Sequence, residues 1–178
     1  SVNDEVVHGI PSSKKVLQDG DIVGLDFGLV SKGFHTDSAV TVPVGKISKE
    51  TEKLLRVTRE SLERGIQEAL VGQTTGDIGY AVQKHAEKNS FGVVKELVGH
   101  GVGRKLHEEP YVPNYGRKGE GEILKEGMVI AIEPMITAGR PAVQMDADGW
   151  TYRTKDGSWA AHFEHTVAIT KEGPKVLT

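Results

Sequence analysis

The feature that most constrains the fold of this chain is a pair of matching segments. Leu17–Asp26 and Leu124–Glu133 each begin with leucine, a polar residue, an acid and glycine, and each continues through mostly small or apolar residues to a final carboxylate. A second match follows in the same order, because His35–Asp37 and His162–Glu164 both place a His-x-acid triplet ahead of a β-branched run. Two matches in the same order predict two structurally similar halves that face each other.

Each half delivers carboxylates to strands that are otherwise apolar. A hairpin turn around Lys32 is expected to place Asp26 and Asp37 on the same face of the sheet, opposite or diagonal to each other. Glu133 and Glu164 occupy the equivalent places in the second half. Acids this close repel each other, so one takes up a proton unless a cation lies between them. Four converging acids favour a divalent metal site, although a single strand acid is more often a turn or capping residue.

A glycine-rich stretch, Glu96–Pro110, contains two histidines, His100 and His107. Because glycines flank His100, we expect the space around it to be kept free for metal and substrate, with the imidazole as a nitrogen ligand. The segment 107–109 equally fits a solvated loop. Three other histidines beside candidate ligands fit either supporting partners of those ligands or plain strand residues: His35, His162 and His165.

Composition narrows the possible functions. The 178 residues are enough for one domain with a core, so we expect a single domain over 1–178. A net charge of −3 gives no electrostatic support for binding nucleic acid or a membrane. Since there is no cysteine, any metal must be held by His, Asp or Glu. No apolar run approaches the ~18 residues of a membrane span, and no signal-peptide pattern opens the chain, so we expect a cytoplasmic protein.

Hydrophobic periodicity predicts strands, then helices, then mostly strands, which favours the α+β class with an antiparallel sheet. One helix is predicted from a cap at Ser48 to about Leu70, and a second from Thr75 or Asp77 to near Asn89. The segment 117–122 is expected to be an exposed loop. Strands are predicted over Asp21–Val30, Phe34–Val42, Val93–Val98, Met128–Ile132, Ala142–Asp146, Trp150–Thr154, Trp159–Thr170 and Lys175–Leu177.

Six motifs spread over the whole chain resemble those of type I methionine aminopeptidases, which belong to the pita-bread metallopeptidases. The resemblance implies an α+β pita-bread fold, with two halves related by a pseudo-two-fold axis and a curved antiparallel sheet covered by helices on one side. Creatinase-like and proline-directed peptidases share part of the pattern. The motifs are Ser1–Pro11, Leu25-Asp26, Phe34–Asp37, Gly99–Pro110, Ala131–Met135 and Phe163–Thr166.

The resemblance implies a centre of two divalent ions. Asp37 and Glu164 would bridge both ions, Asp26 would complete one site, and His100 with Glu133 would complete the other. Oxygen and imidazole ligands suit cobalt, manganese, iron or zinc, so the sequence leaves the element open.

The resemblance also implies an activity, the removal of N-terminal methionine from nascent proteins and peptides with a small second residue. A hydroxide bridging the metals would attack the first peptide bond, and Glu133 would carry the proton to the leaving amine. His8 and His107 would contact the substrate beside that bond, and Trp150 would border the methionine pocket. The implied partners are the nascent polypeptide and the ribosome, with a monomeric enzyme.

Two departures from the family pattern stand out. The family carries a further N-terminal segment ahead of the position of Ser1, so we expect this chain to be truncated relative to the family. The expectation of full activity therefore does not extend to residues 1–178 alone. Leu106 stands where many relatives have an aromatic residue, which would alter the pocket. Two alternatives remain open at this point: a proline-directed peptidase of the same fold, and a pita-bread domain that binds without catalysis.

Overall fold

The structure is a computed structural model that describes all residues from Ser1 to Thr178. It contains two helices and thirteen strands. The helices are α1 (Lys49–Gln67) and α2 (Thr75–Lys88), and the strands are β1 (Glu5–Val7), β2 (Ile22–Ser31), β3 (Phe34–Pro43), β4 (Gly92–Val93), β5 (Gly99–Gly101), β6 (Glu108–Val112), β7 (Val129–Ile132), β8 (Met135–Thr137), β9 (Val143–Met145), β10 (Tyr152–Thr154), β11 (Ala160–His162), β12 (Glu164–Thr170) and β13 (Gly173–Val176).

The main element is an antiparallel seven-stranded sheet in the order β2-β3-β12-β7-β5-β6, with β13 paired to β12. In this order β2 and β3 lie on one side of the β3–β12 contact, and β12 and β7 lie on the other. The two matching sequence segments therefore occupy equivalent places about the centre of the sheet, as predicted from the repeat. Two three-stranded sheets complete the fold, in the orders β1-β10-β9 and β11-β8-β4.

Both predicted helices are present, and local signals define their starts. The Ser48 side chain caps α1 by accepting a hydrogen bond from the Thr51 backbone N–H. Thr74 and Asp77 form a capping box at the start of α2. Helix α1 ends at Gln67, earlier than the predicted Leu70, because the chain already turns at Glu68. Neither helix combines the length and the apolar character needed to cross a lipid bilayer.

The hydrophobic core lies between the helices and the main sheet. Helix α1 packs against α2 and against β7, β8, β11 and β12, while α2 contacts β4 and β6. Ile78, Val82 and Ala86 lie at helical spacing on the inner face of α2 and are fully buried. Close packing also explains Gly79, because a Cβ there would lie 2.2 Å from the carbonyl oxygen of Tyr115. The core thus supports the sheet from the side of the helices.

Two predicted strands were wrong in their extent. The strand expected over 93–98 is only Gly92–Val93, because the chain then leaves β8 and crosses to β7 as the separate strand Gly99–Gly101. The long strand expected over 159–170 is interrupted at Phe163. Its first part, β11, pairs with β8, and its second part, β12, pairs with β3 and β7. Both breaks arise where the chain changes its pairing partner.

Other strand predictions were confirmed with changed ends or were missing. The hairpins over 21–42 and 142–154 are present, the second with shorter strands. The exposed loop over 117–122 is also present. Strands β1, β6 and β8 were not predicted, since each has three to five residues and depends on a distant partner.

Candidate metal centre

Five residues with metal-ligating side chains converge at the middle of the main sheet. Their positions are Asp26 on β2, Asp37 on β3, His100 on β5, Glu133 directly after β7 and Glu164 at the start of β12. In one group, ligand atoms of His100, Glu133 and Glu164 lie within 4.8 Å of one another; in a second, those of Asp26, Asp37 and Glu164 do so. Glu164 belongs to both groups.

The register of the first hairpin explains how its two acids meet. Asp26 lies opposite Ala39 and Asp37 lies opposite Gly28, so the two acids are diagonal neighbours on the same face. Thr166 ties this hairpin to the second half, since its hydroxyl accepts from the Asp37 backbone N–H and donates to the Asp37 carbonyl, both at 2.8 Å. The acids of the two halves are thereby fixed relative to each other.

The carboxylates have little internal compensation for their charge. Glu164 is 2% exposed, and its Oε1 has no hydrogen-bond partner. Burial, followed by the nearby charges of Glu133, Asp37 and Asp26, raises the pKa of Glu164 to about 10. Partial burial, with a contribution from Asp37, also raises the pKa of Asp26. A buried carboxylate oxygen without a donor, surrounded by three further acids, fits a bound divalent cation.

His100 presents one ring nitrogen to this cluster. Its Nδ1 lies 2.9 Å from the carbonyl oxygen of Gly101, so the Nδ1–H can donate there and leave Nε2 as the acceptor. Nε2 lies 3.4 Å from Glu133 Oε1 and 3.9 Å from Asp37 Oδ2. This arrangement suits a neutral imidazole that supplies nitrogen to a metal.

Glycine is required on both sides of His100 for a different reason from the one expected from the sequence. A Cβ on Gly99 would lie 2.3 Å from the Ala131 carbonyl oxygen, and one on Gly101 would lie 2.2 Å from that of Glu109. The neighbouring strands therefore occupy the space that the sequence suggested was kept for metal and substrate. Glycine allows β5 to fit between β6 and β7, and so places His100.

A cavity of about 750 Å³ opens onto Asp26 and Asp37. Its lining includes Asp26, Asp37, His8, Leu106 and His107. The His107 ring lies edge-on to His100, with 4.3 Å between the ring centroids. His8 follows β1 in a left-handed backbone conformation, with φ of 59°, and is exposed. Both predicted substrate-contacting histidines thus border the same space as Asp26 and Asp37.

Trp150 is not brought into this space. It lies in the turn between β9 and β10, is 66% exposed, and does not line the cavity. The role implied for it by the resemblance therefore has no support in this arrangement.

One residue left open by the sequence lies against the acids. His162, at the end of β11, is 4% exposed, and its Nε2 lies 3.6 Å from Glu133 Oε2. Its Nδ1 lies 4.0 Å from Asp26 Oδ2. The signal for it was the His-x-acid triplet, which alone could not distinguish a supporting partner from a plain strand residue.

Comparison with known proteins agrees with this geometry. The family model for metallopeptidase family M24 matches residues 1–171. The chain belongs to metallopeptidase family M24. Within M24, it is 53% identical to the methionine aminopeptidase of Aquifex aeolicus and 54% identical to methionine aminopeptidase 1 of Bacillus subtilis. These matches span 100% of the chain and 70% and 71% of the two relatives, and they identify it as a metallo-aminopeptidase.

Solved M24 structures confirm the predicted fold. The crystal structure of methionine aminopeptidase from Thermotoga maritima matches 99% of this chain and 71% of its own, with a TM-score of 0.97 and 48% identity. A prolidase from Thermococcus sibiricus matches all of this chain and 43% of its own, with a TM-score of 0.77 and 25% identity. The pita-bread architecture is therefore common to this chain and to peptidases with different names.

Proposed function

We propose that this chain removes the N-terminal methionine from nascent proteins and peptides whose second residue is small. The observation that carries the proposal is the convergence of four acids and His100 beside a cavity that Asp26, Asp37, His8 and His107 line. The identity with named methionine aminopeptidases over the whole chain supports the choice of substrate. We treat residues 1–178 as one catalytic domain.

The proposed cofactor is a pair of divalent ions, of cobalt, manganese, iron or zinc. Two of the three groups of ligand atoms support this number, since each of the two is large enough for one ion and they have Glu164 in common. Asp37 belongs to the group with Asp26 and also reaches His100 of the other, since a third group joins Asp37, His100 and His107. With two ions bound, Asp37 and Glu164 would contact both, Asp26 would complete the ligands of one, and His100 with Glu133 those of the other.

When bound, such ions supply Lewis-acid polarisation of the peptide carbonyl and lower the pKa of an attacking water. Glu133 accepts the proton of the attacking water and returns it to the leaving amine. Its Oε1 faces His100, and the residue is largely buried, so its carboxylate is held in a defined place. His107 donates a hydrogen bond to the reacting amide, and His8 does so at the leaving nitrogen.

The cavity supports an exopeptidase that takes an apolar first residue. Asp26 lines this cavity, so the free α-amine of the substrate would lie beside the ion that Asp26 holds. Leu25, Phe27 and Leu106 supply apolar surface suited to an unbranched thioether. Trp150 is retained only as a secondary candidate for this pocket, because it lies outside the lining.

The second candidate is a peptidase that cleaves before proline. It is favoured by the fold shared with the Thermococcus sibiricus prolidase. Peptides beginning Met-Ala and peptides beginning Xaa-Pro separate the two candidates when each is incubated with the metal-loaded chain. We expect release of methionine from Met-Ala peptides and no cleavage before proline; the reverse preference would replace our proposal.

The third candidate is a metal-binding domain without catalysis. Titration calorimetry with Mn²⁺ or Co²⁺ on the parent and on Asp37→Ala tests the site itself. We expect the parent to take up about two ions and the variant to lose most of this uptake. Equal uptake would exclude the proposed site, while uptake without peptide cleavage would indicate the non-catalytic domain.

The proposed partners follow from the substrate. A nascent chain is available as it leaves the ribosome, so we propose ribosome association of a monomeric enzyme in the cytoplasm. Co-sedimentation with translating ribosomes tests the association, and light scattering tests the monomer.

A further inference from the structure

His162 is held firmly at the point where the chain passes from one sheet to another. It ends β11, which pairs with β8, just before the start of β12 in the main sheet. Its backbone N–H donates to Thr41 Oγ1 at 2.9 Å, and the Thr41 hydroxyl donates to its carbonyl oxygen at 2.8 Å. Since Thr41 lies on β3, these bonds fix His162 relative to the first hairpin and its acids.

The ring of His162 is buried without a completed hydrogen bond. Its Nε2 has no partner, although the residue is only 4% exposed. A buried ring nitrogen in this state is costly and uncommon in folded proteins. The nearest acidic atom is Glu133 Oε2 at 3.6 Å, slightly beyond hydrogen-bond distance. A shift of a few tenths of an ångström by the flexible glutamate would close this gap.

Glu133 therefore has a different imidazole beside each of its oxygens. Oε1 lies 3.4 Å from His100 Nε2, and Oε2 lies 3.6 Å from His162 Nε2. His100 belongs to a group of potential ligands together with Glu133, whereas His162 belongs to none of these groups. His100 thus lies among the grouped potential ligands, whereas His162 faces the carboxylates of Asp26 and Glu133 from outside those groups.

We propose that His162 is a positioning residue for Glu133. Its Nε2–H donates to Oε2 and keeps Oε1 turned toward His100 and the metal centre. The inference rests on the proposed function and adds to it a residue outside the ligand set. A carboxylate free to rotate would bind a cation less tightly, as ligands generally do when their supporting hydrogen bond is lost.

The test measures metal binding rather than turnover. Titration calorimetry with Mn²⁺ and the visible absorption of the Co²⁺-loaded protein are recorded for the parent, His162→Ala, His162→Phe and His162→Gln. We expect the alanine and phenylalanine variants to bind about 10- to 100-fold more weakly and to show shifted cobalt bands. Glutamine keeps a donor near the same place and is expected to stay closer to the parent.

Matched variants keep the outcome clear. His165→Ala removes a histidine from the same strand region that contacts Thr178 instead of the acids, and it should leave affinity and spectrum unchanged. His162→Phe fills the volume of the ring, so it tests the idea even if the alanine variant fails to fold. Parental affinity and spectrum in a folded His162→Phe would overturn the proposal. Absence of metal binding in the parent would instead overturn the proposed function.

Discussion

Glu164 is the residue at which the electrostatics of the centre are concentrated. It is the most deeply buried of the four acids, it belongs to two of the three groups of potential ligands, and its Oε1 has no donor. Without a metal ion, the buried carboxyl is more stable when a proton neutralises its charge, and this is why its pKa rises to about 10. A metal ion would replace that proton as the source of positive charge.

This raised pKa gives a pH dependence of stability with a definite sign. Below its ordinary pKa of 4.5 the carboxyl is protonated in both the folded and unfolded chains, so it does not change the free energy of unfolding. Between 4.5 and about 10 the unfolded chain releases the proton more readily, so the free energy of unfolding falls as pH rises. We expect this fall in EDTA, by up to about 1.4 kcal/mol per pH unit, measured by urea unfolding.

The matched variant for this prediction is Glu164→Gln, which has no carboxyl to titrate. Its unfolding free energy in EDTA should fall less steeply than that of the parent between pH 5 and 9. Parallel curves for the two proteins would mean that Glu164 does not carry the shift.

Glu133 is expected to matter for rate through its carboxylate. Glu133→Gln keeps the size of the side chain and removes the group that accepts and returns the proton. We expect kcat for a Met-Ala peptide to fall by about 100- to 10,000-fold, with a circular dichroism spectrum like that of the parent. Glu63→Gln, exposed on α1, serves as the control. A rate close to that of the parent at saturating metal would remove Glu133 from this role.

At the scale of elements, strand β5 sets the position of His100. It is only three residues long and lies between β6 and β7, so its place depends on how closely both neighbours approach. The backbone carbonyls of Ala131 and Glu109 would come within 2.3 Å and 2.2 Å of side chains at Gly99 and Gly101. A strand so short is held by this fit, since it contributes few hydrogen bonds of its own.

Two glycine substitutions in this region should have different consequences. Gly101→Ala forces a methyl group against a backbone carbonyl that cannot move freely, so we expect a loss of stability of about 1–3 kcal/mol together with weaker metal binding. At Gly103 the nearest atom is the flexible carboxylate of Glu108, at 2.8 Å, so Gly103→Ala should be milder. Chemical unfolding and calorimetry measure both. Equal effects at the two positions would contradict this account of β5.

At the scale of the whole molecule, the centre lies where the two halves meet. Asp26 and Asp37 come from the first half, and Glu133 and Glu164 come from the second. Hydrogen bonds between Thr166 and Asp37 and between Thr41 and His162 connect the two halves. Burial of apolar side chains in the core favours the association of the two halves. Repulsion between the acids opposes this association. Cation binding should therefore stabilise the association of the halves, and with it the complete fold.

The corresponding prediction concerns thermal stability. A divalent ion at 100 times its Kd should add about 2.7 kcal/mol to the free energy of unfolding, because the ligands are assembled only in the folded chain. We expect Tm to rise with Mn²⁺ or Co²⁺ for the parent and to rise much less for Asp37→Ala. Differential scanning calorimetry measures both. An equal rise in the two proteins would place the stabilising ion elsewhere.

Much of the fold and of the candidate centre was predictable because the signals are local. The cap at Ser48, the approximate start of α2 and the turn at Lys32 each depend on neighbouring residues, although the cap of α2 is Thr74 instead of the predicted Thr75 or Asp77. The acids were found because carboxylates in apolar strands are costly and because they recur in both halves. The resemblance then assigned them to a metallopeptidase, which the M24 match confirmed as the family.

Tertiary structure alone decided the features that depend on distant partners. The break at Phe163 and the short strand around His100 arise from a change of pairing partner, which no local pattern records. The need for glycine at positions 99 and 101 likewise comes from the backbone of neighbouring strands. The exposure of Trp150 also depends on how the chain folds around it. The sequence left His162 open between a supporting partner and a plain strand residue, and folding decided between them by placing its ring beside Glu133. The sequence alone determined which chemical groups were available, because the side chains are part of the covalent structure. The tertiary structure decided which of these groups meet, because that depends on contacts between residues far apart in the chain.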